Sequence, residues 1–185
     1  HQYTTGSFFK KGLQWFIDFF VDIYAKIILK KKSAEEFPEP QNILFVTLGH
    51  LGDVLILSYI FPLIHAKYPQ ANIDILTGEW CRTILKSNPH IRNIISYNHF
   101  KQNRSRINLW QKIREQKKSS VLALKFIVSQ KYDLSIEGRV SHPNGNLLSY
   151  RGKIKRRIGF GSGGFGSLLT DEILFPEKQN FHMLD

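Results

Sequence analysis

The segment "NILFVTLGHLGDVLIL", residues 42–57, decides the fold. Its first apolar run predicts a buried strand, and two glycines and Asp53 then lead into an apolar helix. Asp53 has two interpretations. An aspartate at a helix start caps the helix and complements its dipole. The same carboxylate, held at the edge of a sheet, is also within reach of a substrate. The spacing alone favours the cap, and the two roles are compatible.

The composition is that of a folded chain long enough for one domain with an appendage. Of the 185 residues, 42% are hydrophobic and 22% are charged. The formal net charge of +11 predicts an acidic partner, namely nucleic acid, anionic lipid or a phosphorylated or carboxylated substrate. Cys81 is the only cysteine, which excludes an internal disulfide and a thiolate metal site. The histidines show no metal-ligand spacing, so no metal site is predicted.

Residues 1–40 are predicted to form an amphipathic helix and a linker. The helix, "SFFKKGLQWFIDFFVDIYAKIILKKK", is interrupted by Asp18 and Asp22, which excludes a transmembrane span and a secretory signal. Two interpretations stay open: the helix contacts a membrane surface through residues 8–32, or it packs on the protein's own body or another subunit. Its predicted apolar face consists of Phe9, Leu13, Phe16, Phe20, Ile23, Tyr24 and Ile27.

From residue 41 to residue 185, strand patterns alternate with helix patterns. Five apolar strands are predicted, at 42–48, 72–78, 91–97, 132–138 and 155–160, with an edge strand within 168–176. The intervening helices include a long one through 107–131, and Pro62 predicts a kink or a late start in the helix after Asp53. Such alternation predicts an α/β fold, a Rossmann-like parallel sheet with helices on both faces.

Ligands of such sheets bind outside the carboxyl ends of the strands, where "GHLGD" lies. Gly49 and Gly52 permit close approach of a ligand, and His50 is placed to contact it or to orient Asp53. The spacing is not that of the dinucleotide fingerprint, and Glu79 is only a loose candidate for a ribose ligand. Nicotinamide cofactors are therefore disfavoured, and no bound cofactor is predicted.

Three segments together carry a family resemblance. The stretch "ILFVTLGHLGDVLILSYIFPLIHAKYPQANIDILTGEWCRTILKSNPHIRNII", then "YDLSIEGRVSHPNGNLLSY" and "RRIGF", resembles the bacterial heptosyltransferase family, the ninth family of glycosyltransferases. The likeness runs over about residues 42–182. Each segment alone would be weak, whereas their order is specific.

The resemblance implies a GT-B fold of two Rossmann-like domains, with inversion at the sugar and without a metal. Its amino-terminal domain receives the acceptor, and its carboxy-terminal domain binds the nucleotide-sugar donor. The aspartate at the position of Asp53 is the family's proposed general base. The 185 residues match only the acceptor-side domain. We therefore expect no transferase activity from this chain alone, and we expect a carboxy-terminal half or a partner chain to supply the donor site.

The resemblance also implies an anionic glycolipid acceptor held by basic residues after the third strand. The corresponding stretch is "FKQNRSR", which makes Lys101, Arg104 and Arg106 the candidate acceptor-binding residues. A solvated basic loop is the alternative. The basic residues that follow, Lys112, Arg114, Lys117 and Lys118, are predicted to form an exposed helix face.

The leading hypothesis is the acceptor domain of an inverting glycosyltransferase that builds a bacterial lipopolysaccharide-type glycolipid. A non-catalytic basic module that docks on a membrane or a partner protein is the alternative, and nucleic acid is not a predicted partner because no known binding-module pattern is present. The expected location is the cytoplasm, at the inner face of the inner membrane. An exposed Asp53 beside the basic segment favours the enzyme, and an Asp53 that only caps a covered helix favours the docking module.

Overall fold

The computed structural model describes residues 19, 21, 23, 24, 37–139, 143–161 and 165–173. Within them, a six-stranded sheet runs in the order β3-β2-β1-β4-β5-β6, and every neighbouring pair of strands is parallel. This confirms the predicted α/β Rossmann-like sheet. The strands are β1 Asn42–Val46, β2 Asn72–Thr77, β3 Asn93–Ser96, β4 Leu134–Glu137, β5 Arg156–Phe160 and β6 Asp171–Ile173.

Helices connect the strands on both faces of the sheet. The helix predicted after Asp53 is two helices separated at Ser58 and Tyr59, because Pro62 lacks an amide proton and its ring would clash with a carbonyl four residues earlier. The predicted interruption at Pro62 is thus confirmed. The α-helices are α1 Leu51–Leu57, α2 Ile60–Lys67, α3 Arg82–Leu85, α4 Leu109–Gln130 and α5 Pro143–Arg151, with 3-10 turns at Glu79–Cys81 and Gly166–Leu168.

Each face of the sheet is covered by its own hydrophobic core. On β1, Ile43 and Phe45 pack beneath α1 and α2, whereas Leu44 and Val46 pack beneath α4 and α5. A central strand buried on both faces must be apolar at every position, which explains the continuous run in the sequence.

The order of strands reverses beside β1. From β1 the chain passes outward to β2 and β3 on one side, and it then returns to β4, which pairs with β1 on the other side. Such a reversal is the topological switch point, where the loops diverge and leave a crevice at the carboxyl ends of the strands. The loops after β1 and β4 therefore border the expected ligand site.

The predicted amino-terminal helix is described at four positions, 19, 21, 23 and 24, which are helical. Tyr24 packs edge-on against Tyr150 of α5, with ring centroids 6.5 Å apart and hydroxyl oxygens 3.0 Å apart. The rest of residues 8–32, including most of the predicted apolar face, lies outside the described residues. Among the helices that are described, none combines the length and the hydropathy needed to cross a bilayer.

Candidate functional site

Asp53 is the third residue of α1 and belongs to its cap. His50 precedes the helix in an extended conformation, and its backbone N–H donates to Oδ2 of Asp53 over 2.9 Å. This is one half of a capping box, in which an acidic side chain reaches back to the amide before the helix. The structural role predicted for Asp53 is therefore present, and His50 orients Asp53 through its backbone.

The same oxygen of Asp53 meets a cation that the sequence did not point to. Nη1 of Arg139, two residues beyond β4, lies 3.4 Å from Oδ2 of Asp53 and donates to the carbonyl of Leu48 over 3.1 Å. Asp53 follows β1 and Arg139 follows β4, so the ion pair spans the switch point. The side chain of Asp53 is 33% exposed. Among the described residues, no hydrogen bond or ion pair reaches its other oxygen, Oδ1.

Position 49 requires a glycine, because a side chain there would collide with its neighbours. A Cβ at residue 49 would lie 2.9 Å from Cβ and 3.0 Å from Oδ2 of Asp53, and 3.2 Å from Nη1 of Arg139. Gly52 differs, because a Cβ there would meet nothing within 4 Å. The loop therefore closes tightly on the carboxylate from one side and leaves open space beside it on the first turn of α1.

Two further side chains hold the loop from neighbouring elements. Nε1 of Trp80 donates to the carbonyl of Gly49 over 3.1 Å, and Nε2 of Gln102 donates to the carbonyl of Leu48. Together with Arg139 they engage consecutive carbonyls immediately before the helix. The loop is thus positioned from three sides, which fixes the direction of the Asp53 carboxylate.

The predicted acceptor-binding segment adjoins this loop. Gln102 lies within it, and the neighbouring Lys101, Arg104 and Arg106 are exposed. The ammonium group of Lys101 lies 5.7 Å from the ring centroid of Phe100. The guanidinium in contact with Asp53 is that of Arg139. The contact of Gln102 with Leu48 brings the basic segment to the edge of the site, and the roles of its three cations stay predictions.

Beneath the site lies a buried carboxyl group at the end of β4. Glu137 is 4% exposed, and its Oε1 accepts from the backbone N–H of Arg139 over 3.3 Å. Burial raises the pKa of Glu137 well above its usual value, although the amide and the charge of Arg139 oppose this shift.

Several buried polar atoms at this edge of the sheet have no hydrogen-bond partner among the described residues. Oε2 of Glu137 is one, and it lies against Gly145 of α5, where a Cβ would approach it to 1.6 Å. Oγ1 of Thr47 and Oδ1 of Asn146 are others. Buried polar atoms without partners are uncommon in stable cores and cluster where a ligand or ordered water completes them. This concentration at the carboxyl ends of β1 and β4 supports a ligand site there.

Within the described parts of the chain, no cluster of three or more histidine, cysteine or acidic side chains is arranged to hold a metal ion. The groups that the described residues bring to the site are an oriented carboxylate, the guanidinium of Arg139 and backbone groups. Such a set is suited to accept a proton from a hydroxyl group that lies near anionic substituents.

Comparison with known proteins agrees with this picture. No protein-family model matches the chain. It is 32% identical over 54 residues to the lipopolysaccharide heptosyltransferase 2 of Escherichia coli, which is 29% of this chain and 16% of that protein. It is 30% identical over 54 residues to the lipooligosaccharide heptosyltransferase 2 of Haemophilus influenzae, again 29% and 16%.

Solved structures match over most of the chain. The E. coli ADP-heptose lps heptosyltransferase II aligns with a TM-score of 0.56 and 22% identity, over 74% of this chain and 35% of that one. A family 9 glycosyltransferase from Veillonella parvula aligns with a TM-score of 0.60 and 20% identity, over 79% and 39%. The chain thus spans little more than a third of these structures, and its matched segment spans about a sixth of the curated relatives.

The fold is therefore the Rossmann-like α/β fold found in part of the GT-B heptosyltransferase structures. More particularly, the curated matches bear out the resemblance of the chain to the heptosyltransferase family over the matched 54 residues.

The sequence pattern did not identify four residues of the site: Trp80, Gln102, Glu137 and Arg139. Once the strand order is known, Glu137 and Arg139 are expected at the site. Residues at and just after the end of β4 lie beside those after β1 at the switch point. The strand at 132–138 was recognised, but its pairing with β1 is a tertiary fact. Trp80 carries no comparable signal, since an indole in a short helix is more often part of the core.

Proposed function

We propose that the chain is the acceptor-side domain of an inverting, metal-independent glycosyltransferase, heptosyltransferase-like in its reaction. It transfers a sugar from a nucleotide-sugar to a bacterial lipopolysaccharide-type glycolipid. The observation that carries this proposal concerns Asp53: His50 and Arg139 fix one carboxylate oxygen, and no described residue bonds to the other, on a side chain that is partly exposed.

In the proposed reaction, an acceptor hydroxyl donates a hydrogen bond to Oδ1 of Asp53. As its oxygen bonds to the anomeric carbon from one face, the bond to the nucleoside diphosphate breaks on the other face. The hydroxyl proton passes to Asp53, and the diphosphate leaves with the electron pair of the broken bond. A positioned general base contributes about 10²–10⁴-fold to such a step.

The remaining residues have supporting roles in this proposal. Arg139 orients the carboxylate, and Lys101, Arg104 and Arg106 pair with phosphate or carboxylate groups of the acceptor. Gly52 leaves room for the acceptor beside Asp53. The donor binds to a second domain or partner chain, so the 185 residues alone are expected to be inactive.

The test joins this chain to a carboxy-terminal heptosyltransferase half and measures transfer from a nucleotide-heptose to a lipid A core acceptor. Asp53→Asn is expected to lower the rate by about 10²-fold or more while acceptor binding persists. The matched control is Asp133→Asn, because Asp133 also caps backbone, accepting from the amides of Gln41 and Asn42 before β1. Equal transfer rates for the two variants would mean that the role of Asp53 is purely structural.

The second candidate function is a non-catalytic basic module that docks on a membrane or a partner. Exposed apolar side chains on α4, among them Trp110, Val121 and Val128, favour a docking role. Docking and catalysis are separable, since the docking module predicts that Asp53→Asn changes neither binding nor any rate.

A further inference from the structure

The outward face of α4 has a composition that the domain's own packing does not explain. The helix has 22 residues and is about 33 Å long. Its inward face is buried at Ser119, Ala123 and Ile127. Large apolar side chains nevertheless point to solvent: Trp110 is 80% exposed, and Val121, Leu122 and Val128 are 55%, 57% and 48% exposed.

Basic side chains share this face. At 100° per residue, Arg114, Lys117, Val121 and Val128 all lie within about 40° of Trp110 around the helix. Lys118 and Lys125 flank them within about 80°. The face therefore alternates apolar and cationic side chains along the full length of α4.

Acidic side chains are absent from this face. Residues 109–130 contain five basic residues and one acidic residue, Glu115. Glu115 is turned away from Trp110, and its Oε2 accepts from Nδ2 of Asn103 over 2.7 Å. An ordinary solvated helix intersperses both signs of charge, so the one-sided charge indicates an anionic partner.

The positive surface continues to the candidate active site. Oε1 of Gln116 on α4 accepts from the backbone N–H of Phe100, while Gln102 donates to Leu48 in the loop before Asp53. The exposed Lys101, Arg104 and Arg106 lie on this connection. Residues 100–102 thus connect α4, through Gln116, with the loop before Asp53.

We propose that the outward face of α4 binds the surface of an anionic phospholipid bilayer. Trp110 sits at the interface, where an indole combines an apolar body with a polar N–H. Val121 and Val128 enter the headgroup region, and the lysines and Arg114 pair with lipid phosphates. This inference extends beyond the transferase proposal, because the binding needs no donor, no acceptor sugar and no catalytic residue.

A second exposed apolar surface supplies the contrast. Leu51, Leu55, Tyr59 and Leu63 recur along α1 and α2 and are 46–80% exposed. Residues 51–64 include Asp53 and no lysine or arginine. That surface is apolar without being cationic, so it lacks the feature that selects anionic lipid. Tyr59, which is as exposed as Trp110, is therefore a matched control.

The test is co-sedimentation of the chain with phosphatidylcholine vesicles that contain about 30 mol% phosphatidylglycerol, against vesicles of phosphatidylcholine alone. We expect binding to the anionic vesicles that weakens as salt rises. Arg114→Glu with Lys117→Glu is expected to lower the affinity at least about tenfold. The control, Lys67→Glu with Lys86→Glu, makes the same change of charge at exposed positions outside α4 and should retain most of the binding.

A second measurement keeps the proposal open to refutation if a charge variant is unstable. Vesicles with brominated acyl chains quench tryptophan fluorescence by contact, so Trp110→Phe should remove most of the quenching and Trp15→Phe little of it. Trp110→Ser should weaken vesicle binding, and Tyr59→Ser should not. Equal losses for the two charge variants, quenching that follows Trp15, or weakening by Tyr59→Ser would each refute α4 as the membrane-binding face.

Discussion

Two of the aspartates that pair with arginines, Asp74 and Asp53, lie at opposite ends of the parallel strands. Asp74 on β2 is fully buried, and Arg92 engages both of its oxygens, with Nε–Oδ1 and Nη2–Oδ2 distances of 3.0 and 2.7 Å. Tyr132 and Asn93 donate to the same carboxylate over 2.5 and 3.1 Å. Asp53 is 33% exposed, and all of its described contacts use one oxygen.

The difference separates a structural ion pair from a candidate reactive one. A buried carboxylate is tolerated only when its oxygens are satisfied, which is the state of Asp74. A carboxylate oxygen without a protein partner costs little free energy at a partly exposed position, because water hydrogen-bonds to it until a substrate binds. The number of engaged oxygens therefore distinguishes the two aspartates better than the presence of an arginine does.

The largest expected effect is on folding. Asp74→Asn leaves the Arg92 guanidinium without its charge partner and should lower the free energy of unfolding by about 3 kcal/mol. Asp53→Asn loses part of a helix cap and should cost only about 1 kcal/mol. Urea denaturation of both variants checks the contrast, and similar losses would contradict it.

The two glycines of the loop should respond in opposite directions. Gly49→Ala places a methyl group against Asp53 and Arg139 and should destabilise the fold by about 1–3 kcal/mol. Gly52→Ala adds a methyl group in open space within a helix and should stabilise it by about 0.5–1 kcal/mol. Thermal unfolding of each variant, compared with that of wild type, gives the sign of the change in stability.

A pH-dependent effect is expected from Glu137. Its pKa is raised in the folded state, so the folded chain keeps this proton to higher pH than the unfolded chain does. The stability that the protonated group provides is present at low pH and declines as pH rises from the unfolded value through the folded pKa. Glu137→Gln cannot titrate, so the unfolding free energy of wild type should fall relative to the variant as the pH rises above the usual glutamate pKa. A constant difference over this range would show that Glu137 titrates normally.

The smallest expected effect is the coupling between Asp53 and Arg139. Their ion pair is 3.4 Å long and partly exposed, so a double-mutant cycle with Asp53→Asn and Arg139→Gln should give less than about 1 kcal/mol. The same cycle on Asp74 and Arg92 serves as the reference and should give a clearly larger value. Comparable coupling energies would mean that the Asp53 pair is a structural ion pair as well.

Most elements could be predicted because their signals are local. The run at 43–46 is apolar at every position and forms part of β1. Pro62 predicts an interruption of the next helix, and the structure has two helices there. The cap at Asp53 was likewise evident from its place before an apolar helix. Local chemistry of this kind does not depend on which strands pair.

Charged residues were less predictable, because their roles depend on neighbours distant in the sequence. Arg156 and Arg157 are adjacent basic residues, yet Arg156 pairs with Asp171 over 3.2 Å and Arg157 is buried, with its guanidinium donating to the carbonyl of Leu168. Only the register of β5 with β6 and the following turn decides that they are structural.

The amino-acid pattern alone established a parallel α/β sheet, a capped helix after its first strand and a strongly cationic chain, because these follow from periodicity, spacing and composition. The tertiary structure decided which groups meet: that β4 lies beside β1, that Arg139 therefore reaches Asp53, and that Trp110 shares a solvent-facing line with arginine and lysine. Such meetings depend on strand order and helix orientation. Those are set by packing between segments far apart in the chain, and no local pattern encodes them.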